Sequence, residues 1–543
     1  MRKLFLLSFV SINLGVICHG ELFTALSDLE PLLTTHKKVV EDLEDYIGRE
    51  EERLNTLKRY VQVYKREHVQ AMEDIPNYLG NPINAFTLIK RMTTDLEYVK
   101  LNIDLGAEHA RNISITQYEN ATYPSAEDLR GAARALTRLQ ETYLLKVEDL
   151  AEGILNGVVY GSAMNANDCF ELGIALYNET EYRNSLAWMS IALKKYNEEI
   201  SSYPLTEVDI LEYITFANYM LGDVKKAEEL TEKIVAIDPT YDIRKPNVTI
   251  AEQERKKRLN GVTGEDSLET ETEQTPKDLS DDYETLETYK TLCRGEIDVS
   301  PEVEKELTCR YLTENHPFLR LAPIKMEYKY RDPDIVLFHE VLSDSEIQHL
   351  KELAQPIFQR AMVRDAVSGN SLPVDYRISK SAFLTDEKSP VVERVSRRVA
   401  DFTGLDMDTA EDLQVVNYGI GGHYLPHYDC TTSEDIQFEN EIGNRIATVI
   451  FYMSDVAQGG ATVFPELGLS LFPVRGAAAV WLNLHASGEA DLATHHAACP
   501  VLRGSKWVSI KWIHLVGQEF VKPCGLEYQP EGMKGSLKKT VTK

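Results

Sequence analysis

Tyr418-Gly419-Ile420-Gly421-Gly422-His423-Tyr424-Leu425-Pro426-His427-Tyr428-Asp429 is the stretch on which the reading of this chain turns. His427 and Asp429 stand two apart, and on a strand that spacing sends both side chains to one face. With one histidine from a distant strand they make a two-histidine, one-carboxylate set, which binds iron(II) and leaves adjacent coordination positions open. A bare His-x-Asp is common, so its meaning depends on what surrounds it.

Beyond residue 410 the chain is a series of short β runs separated by Gly and Pro: 413–418, 445–453, 462–464, 477–482, 497–502 and 506–513. Strands of this length and spacing predict a double-stranded β-helix, or jelly roll. Upstream, 335–338 reads as a strand, and Ser343-Asp344-Ser345-Glu346 caps a helix over 347–353. The distant histidine is His495 or His496; strand alternation lets one point inward, and periodicity does not choose between them. Lys506 lies ten residues beyond His496, an even step, and so shares its face if the strands are continuous. A lone inward cation beside a metal is costly unless it meets an anion. A dicarboxylate that chelates the metal through a keto-acid end offers its far carboxylate to such a lysine.

Toward the N-terminus the texture is helical. Val40, Leu43, Ile47, Leu54, Leu57, Val61 and Tyr64 follow alternating steps of three and four, broken at Glu50, a heptad stripe that suits either a coiled-coil dimer or an amphipathic helix packed on its own domain. A second helical run covers 126–155. Residues 165–240 read as two helix pairs, 169–177 with 182–196 and 211–221 with 224–236, closed by Asp238-Pro239; Tyr219, Gly222, Ala227 and Pro239 match a tetratricopeptide unit. Tyr213, Phe216 and Tyr219 form a tight aromatic ridge, and tyrosine faces suit an extended proline-rich peptide. Residues 261–288, rich in Glu, Asp, Thr and Ser, read as an acidic linker. The expected organisation is a multidomain α+β chain: signal peptide 1–20, helical coiled-coil dimerisation region 21–155, tetratricopeptide-like peptide-binding domain 165–260, linker 261–288, catalytic domain 289–530 with its core at 410–520, and a basic tail 531–543.

At 543 residues the chain is too long for one core, and its net charge of −28 argues against a phosphate-binding surface and hence against a nucleic-acid partner. Arg2 and Lys3, the apolar run 4–17, and Cys18 and Gly20 flanking His19 read as a secretory signal with its cleavage site; no later segment is long and apolar enough to span a membrane. Four N-x-S/T sequons, at Asn112, Asn120, Asn178 and Asn247, agree with a lumenal chain. Six cysteines remain outside the signal. Spacing favours Cys293 with Cys309; Cys499 with Cys524 would tie the last strands to the C-terminus; Cys169 and Cys430 read as buried thiols. The final residues, Leu537–Lys543, spell no lumenal retention signal, so residence there would rest on a retained partner.

His427-x-Asp429, Gly443-Asn444-Arg445-Ile446-Ala447-Thr448, Gly459-Gly460-Ala461-Thr462-Val463-Phe464-Pro465, and His496-Ala497-Ala498-Cys499-Pro500-Val501 followed by Gly504-x-Lys506-Trp507 are specific together. They resemble the collagen prolyl 4-hydroxylase α-subunit family. Asn81-Pro82-Ile83-Asn84-Ala85-Phe86-Thr87-Leu88-Ile89-Lys90-Arg91 and Asp168-Cys169-Phe170-Glu171-Leu172-Gly173 extend the likeness toward the N-terminus.

The resemblance implies an iron(II)- and 2-oxoglutarate-dependent dioxygenase of the endoplasmic reticulum lumen. It would convert prolines of X-Pro-Gly sequences in procollagen-like chains to 4-hydroxyproline, releasing succinate and CO₂ and using O₂, with ascorbate keeping the iron reduced. His427, Asp429 and His496 would hold iron. Lys506, Thr462, Tyr418 and His514 would bind the cosubstrate, with His514 near its metal-bound end. Tyr424, Arg445 and Trp512 would line the substrate cleft beside Tyr418, and Tyr177, Tyr213 and Tyr219 a peptide groove in which Phe216 stands where the family has tyrosine. The family's disulfides imply the pairs Cys293–Cys309 and Cys499–Cys524, and its partner is protein disulfide isomerase in an α₂β₂ tetramer. Two rivals stand beside this reading: a dioxygenase acting on lysine or a non-collagen proline, and a non-catalytic collagen-binding scaffold.

Overall fold

The computed structural model describes residues 26–73, 95–112, 126–159, 163–198, 205–239, 278–364, 371–419, 421–432 and 442–525, with the isolated positions 92 and 241. The signal segment, the motif at 81–91, Asn120, Asn247, most of the acidic linker and the basic tail lie outside these residues. The chain divides into two units, Ser27–Tyr123 and Met1–Leu26 with Pro124–Lys543.

In the smaller unit, α1 (Leu26–Glu73) is a single 48-residue helix, followed by α2 (Leu96–Asn112). Val40, Leu43, Ile47, Leu54 and Val61 of the heptad stripe are all exposed along it. Among the described residues no helix is long and apolar enough to cross a membrane.

The larger unit opens with α3 (Ala126–Tyr143). The helix expected to run on to residue 155 stops here: Leu144 takes a left-handed backbone (φ 53°), a short helix follows at Val147–Ala151, and residues 154–155 pair with 158–159 as a small hairpin. Two helix pairs come next, α4 (Ala166–Asn178) with α5 (Tyr182–Glu198) and α6 (Glu207–Met220) with α7 (Val224–Ile237). Capping boxes start α4 and α6: Asn165 and Asp168 satisfy each other's backbone N–H, as do Thr206 and Asp209. Cys169, Leu172, Leu176, Trp188, Met189, Ala192 and Ile210 fill the space between the helices. Gly173 keeps α4 and α5 close, since a Cβ there would meet the Met189 side chain at 2.8 Å.

Part of the expected linker is helical instead. α8 (Asp278–Cys293) forms because its C-terminal half buries Tyr289, Leu292 and Cys293 against Ala461, Val463, Ala497 and Cys499.

The rest is sheet. The strands are β1 (Cys309–Leu312), β2 (Ile324–Tyr330), β3 (Ile335–His339), β4 (Gln359–Arg360), β5 (Lys380–Leu384), β6 (Leu413–Tyr418), β7 (Tyr424–His427), β8 (Arg445–Tyr452), β9 (Thr462–Phe464), β10 (Leu469–Leu471), β11 (Ala478–Leu482), β12 (His496–Ala498) and β13 (Lys506–His514). The large sheet runs β1-β2-β3-β11-β8-β13-β6-β5-β4, and the small one β7-β12-β9-β10. The run expected over 497–502 is divided at Pro500, which has no N–H for a ladder; β12 ends at Ala498 and a separate strand covers Val501–Arg503.

Two helices, α9 (Asp344–Ala354), capped by Ser343 with Glu346, and α10 (Pro390–Thr403), cover one face of the large sheet. Val395, Val399 and Phe402 pack there with Leu413, Val415, Phe451 and Ile513. The opposite face meets the small sheet, where Val508, Ile510 and Trp512 share a core with Phe464, Leu469, Leu471 and Ala498. β13 is therefore buried on both faces along its whole length. Its polar residues, Lys506 and His514 among them, sit inside the protein and need partners there.

A disulfide joins Cys293 to Cys499, with Cα atoms 5.5 Å apart. This differs from the expected pairs Cys293–Cys309 and Cys499–Cys524: α8 carries Cys293 onto the small sheet beside Cys499, while Cys309 on edge strand β1 and Cys524 are exposed free thiols. Cys169 and Cys430 are buried.

Candidate functional site

β7 and β12 are antiparallel neighbours whose register sets His427 directly opposite His496. Asp429 lies just past the end of β7, not on the strand itself as its spacing suggested, and the turn brings its carboxylate back toward both rings. One oxygen is 3.7 Å from Nε2 of His427 and the other 3.5 Å from Nε2 of His496. One ligand atom from each residue falls within 4.8 Å of the others, and among the described residues this is the only such cluster of three or more His, Cys, Asp or Glu.

The tautomers decide what this cluster can do. Nδ1 of His427 faces the Leu425 carbonyl at 2.8 Å, and Nδ1 of His496 faces the Thr494 carbonyl at 3.0 Å. A carbonyl only accepts, so both Nδ1 atoms carry the proton and both Nε2 lone pairs turn toward Asp429. Burial pushes the His427 pKa well down, so its ring stays neutral. Burial opposes ionisation of the Asp429 carboxyl, while the nearby Arg445 guanidinium favours it. Two lone pairs and a carboxylate aimed at one point repel unless a cation lies between them. The donor set thus fits a divalent metal of intermediate softness such as iron(II).

His495 turns the other way and stacks on Tyr428, ring centroids 4.5 Å apart. Tyr424 stacks on His427 at 3.5 Å, Tyr376 stacks on Tyr424, and the Arg377 guanidinium lies 4.8 Å from the Tyr424 ring centre.

Lys506 is 2 % exposed, and no carboxylate reaches its ammonium among the described residues. Its stem runs beneath Gly460, whose left-handed backbone (φ 69°) brings a notional Cβ within 3.4 Å of Cδ. Its Nζ sits 5.1 Å from the centre of the Tyr418 ring. Burial alone lowers its pKa to about 7. Thr462 is buried and accepts a 3.0 Å hydrogen bond from the Tyr452 hydroxyl. Burial pushes the Tyr418 phenol up to about 12, so it remains a neutral donor.

Arg445 and His514 converge on Glu411, which the sequence reading did not single out. Arg445 donates to both Glu411 oxygens, at 2.5 and 3.0 Å, and to the Asp429 carbonyl at 3.2 Å; its guanidinium lies 4.0 Å over the Trp512 ring. His514 bridges the Gly443 carbonyl (2.7 Å) and Glu411 (3.0 Å). Burial pushes the Glu411 pKa up, but bonds from His514 and Arg445 win and hold it ionised. Thr448 and Asn483 were also missed: both are buried behind Asp429 and carry no spacing signal.

In the helix pairs, Tyr177 packs on both Tyr213 and Phe216, with ring centroids 5.0 and 5.4 Å away. Tyr219 extends the row from Phe216, and Tyr182, absent from the sequence reading, packs on both Tyr177 and Phe216. Tyr177, Tyr182, Tyr213, Phe216 and Tyr219 are half-buried, so part of each ring stays open.

Comparison with known proteins agrees along the chain. Residues 25–157 match the prolyl 4-hydroxylase alpha-subunit N-terminal region, 166–255 the prolyl 4-hydroxylase peptide-substrate-binding domain, and 413–514 the 2OG-Fe(II) oxygenase superfamily. Prolyl 4-hydroxylase subunit alpha-1 of Homo sapiens is 42% identical over 521 residues, 94% of this chain and 96% of that one. Prolyl 4-hydroxylase subunit alpha-2 of Caenorhabditis elegans is 43% identical over 522 residues, 95% of each chain. A crystal structure of viral collagen prolyl hydroxylase from Paramecium Bursaria Chlorella virus-1 covers 34% of this chain and 96% of its own, at 24% identity and a TM-score of 0.28, a likeness too slight to weigh. On the strength of its full-length relatives, the chain belongs to the prolyl 4-hydroxylase α-subunit family.

Proposed function

We propose that the chain hydroxylates prolines of X-Pro-Gly sequences in procollagen-like chains at C4, as an iron(II)- and 2-oxoglutarate-dependent dioxygenase. The observation that carries this is the convergence of two Nε2 lone pairs and the Asp429 carboxylate, beside a buried lysine that no carboxylate reaches among the described residues. His427, Asp429 and His496 would hold iron(II). Iron(II) with O₂ and 2-oxoglutarate supplies the oxidising chemistry, with succinate and CO₂ released and one oxygen delivered to the proline ring.

The protein's own groups bind, orient and exclude water. Lys506 would take the far carboxylate of 2-oxoglutarate, helped by hydrogen bonds from Thr462 and Tyr418. His514, held by Gly443 and Glu411, would stand at the cosubstrate's metal-bound end. Tyr424, Arg445 and Trp512 would line the substrate cleft. Arg445 is locked by Glu411 and stacked on Trp512, so it presents a fixed charge rather than a mobile one. Tyr177, Tyr213, Phe216 and Tyr219 would stack on the ring faces of an extended proline-rich chain.

The finer architecture is proposed with it. The two packed sheets are read as a double-stranded β-helix, and the exposed apolar stripe on α1 as a coiled-coil dimerisation surface. Protein disulfide isomerase would complete an α₂β₂ tetramer in the endoplasmic reticulum lumen, with ascorbate keeping the iron reduced. Asn178, exposed at the end of α4, would be open to glycosylation there. The test is mass spectrometry of a (Pro-Pro-Gly)₁₀ peptide incubated with the full chain and its partner. Single-oxygen additions at proline that require 2-oxoglutarate support the proposal; an unmodified peptide with an iron-loaded, assembled enzyme overturns it.

A further inference from the structure

Helix α3 touches both halves of the proposed machinery. On one side Ala133 is buried in the core of the helix pairs, and Arg130 and Arg134 approach Glu179, the residue that caps α4 two positions after Tyr177 (3.4 and 3.7 Å). On the other side Arg134 reaches Asp375 at 3.6 Å, next to Tyr376. Arg138 donates to the Gly421 carbonyl at 3.2 Å, and the Tyr143 hydroxyl donates to the Pro500 carbonyl at 2.6 Å.

The two acceptors are in related places. Gly421 lies in the turn that enters β7, three residues before Tyr424; Pro500 follows β12, which begins with His496. Backbone bonds from Gly421 N–H to Val501 and from Val501 N–H to Gly422 join these segments. α3 therefore grips the far ends of the two strands that carry the candidate histidine ligands.

The approach is built in. A Cβ on Gly421 (φ 64°) would lie 2.9 Å from the Ala135 side chain and 3.0 Å from its carbonyl oxygen, and one on Gly459 (φ 76°) would lie 2.5 Å from the Tyr143 hydroxyl. Both positions need glycine for the left-handed backbone as well as for the close contact. His423, 3 % exposed and with no hydrogen-bond partner for Nδ1 among the described residues, backs the same turn.

We propose that α3 is a strut that holds the aromatic groove at a set position relative to the ligand strands, with Arg138 and Tyr143 as positioning residues. A peptide long enough to engage both sites then gains over one that engages the iron site alone, because its second contact is intramolecular. The inference rests on the function proposed above. A thirty-residue polyproline-type chain reaches about 90 Å, whereas six residues reach about 20 Å.

The test compares (Pro-Pro-Gly)₁₀ with (Pro-Pro-Gly)₂ as substrates of the full chain with its partner, for wild type, Tyr143→Phe, Arg138→Met and Arg138→Lys. The expected result is a KM for the long peptide raised about fivefold by Tyr143→Phe and about tenfold by Arg138→Met. KM for the short peptide and kcat should stay within about twofold, with partial rescue in Arg138→Lys. Equal rises for both peptides, no change for either, or a wild type without length preference overturns the strut. Hydrogen exchange supplies a readout independent of activity: both losses should speed exchange at the Gly421 and Val501 amides. If wild type hydroxylates neither peptide, the functional reading fails, and unchanged exchange in the variants then overturns the strut separately.

Discussion

Oγ1 of Thr448 donates a 2.8 Å hydrogen bond to Oδ2 of Asp429, and Nδ2 of Asn483 donates to that same hydroxyl at 2.9 Å. The order of donors is fixed by chemistry: an ionised carboxylate only accepts, so Thr448 must give its proton to Asp429 and take one from Asn483. Both residues are buried, and the relay holds the carboxylate turned toward the two histidines.

Removing the hydroxyl should therefore loosen the ligand set without unfolding the sheet. Thr448→Val is nearly isosteric, and loss of such an outer hydrogen bond typically costs about 10- to 100-fold in metal affinity. Calorimetric titration with iron(II) or manganese(II) measures it. Thr448→Ser should restore most of the affinity; an unchanged affinity in Thr448→Val contradicts the relay.

Lys506 gives a pH dependence with a definite sign. Burial lowers its pKa to about 7, and only its charged form pairs with a carboxylate. Above that pH the free protein has lost the proton, so 2-oxoglutarate binding must take one up. Affinity should weaken as pH rises above about 7, by up to about tenfold per unit, until the bound-state pKa is passed. Binding measured from about pH 6 to 9 checks this; a flat profile in wild type contradicts it. Lys506→Met should bind at least about tenfold more weakly and lose the slope.

The cysteine pairing is open to direct mapping. Non-reducing peptide mapping should recover Cys293 linked to Cys499, which ties α8 to the small sheet across a sequence separation of 206 residues. Cys293→Ser should cost about 2–5 kcal/mol of stability, read as a lower unfolding midpoint. Recovery of Cys293–Cys309 instead would contradict the arrangement described here.

What could be read from the sequence follows physical range. Strands β6, β9 and β13 and the helix pairs were legible because apolar period and capping are local: Ser343 with Glu346 announces α9 from four residues. His427 and Asp429 were visible as a pair, but the choice between His495 and His496 needed the register with β7. Glu411 and Thr448 were not legible. Glu411 meets Arg445 and His514 only after β8 and β13 pair, and nothing in its neighbours marks it. The contacts of α3 were hidden for another reason: Arg138 and Tyr143 bind backbone carbonyls, which leave no side-chain signature. The disulfide was misjudged because short spacing favours a local pair, whereas the fold of α8 onto the small sheet brings a distant one together.

The central claim is that His427, Asp429 and His496 drive proline hydroxylation coupled to 2-oxoglutarate decarboxylation. The most direct measurement is the yield of succinate and of 4-hydroxyproline from a (Pro-Pro-Gly)₁₀ peptide, for wild type and Asp429→Ala, each assembled with its partner and supplied with iron(II), ascorbate and 2-oxoglutarate. The account predicts matched yields in wild type and neither product in Asp429→Ala. Succinate without hydroxyproline in wild type, or hydroxyproline persisting in Asp429→Ala, would contradict it.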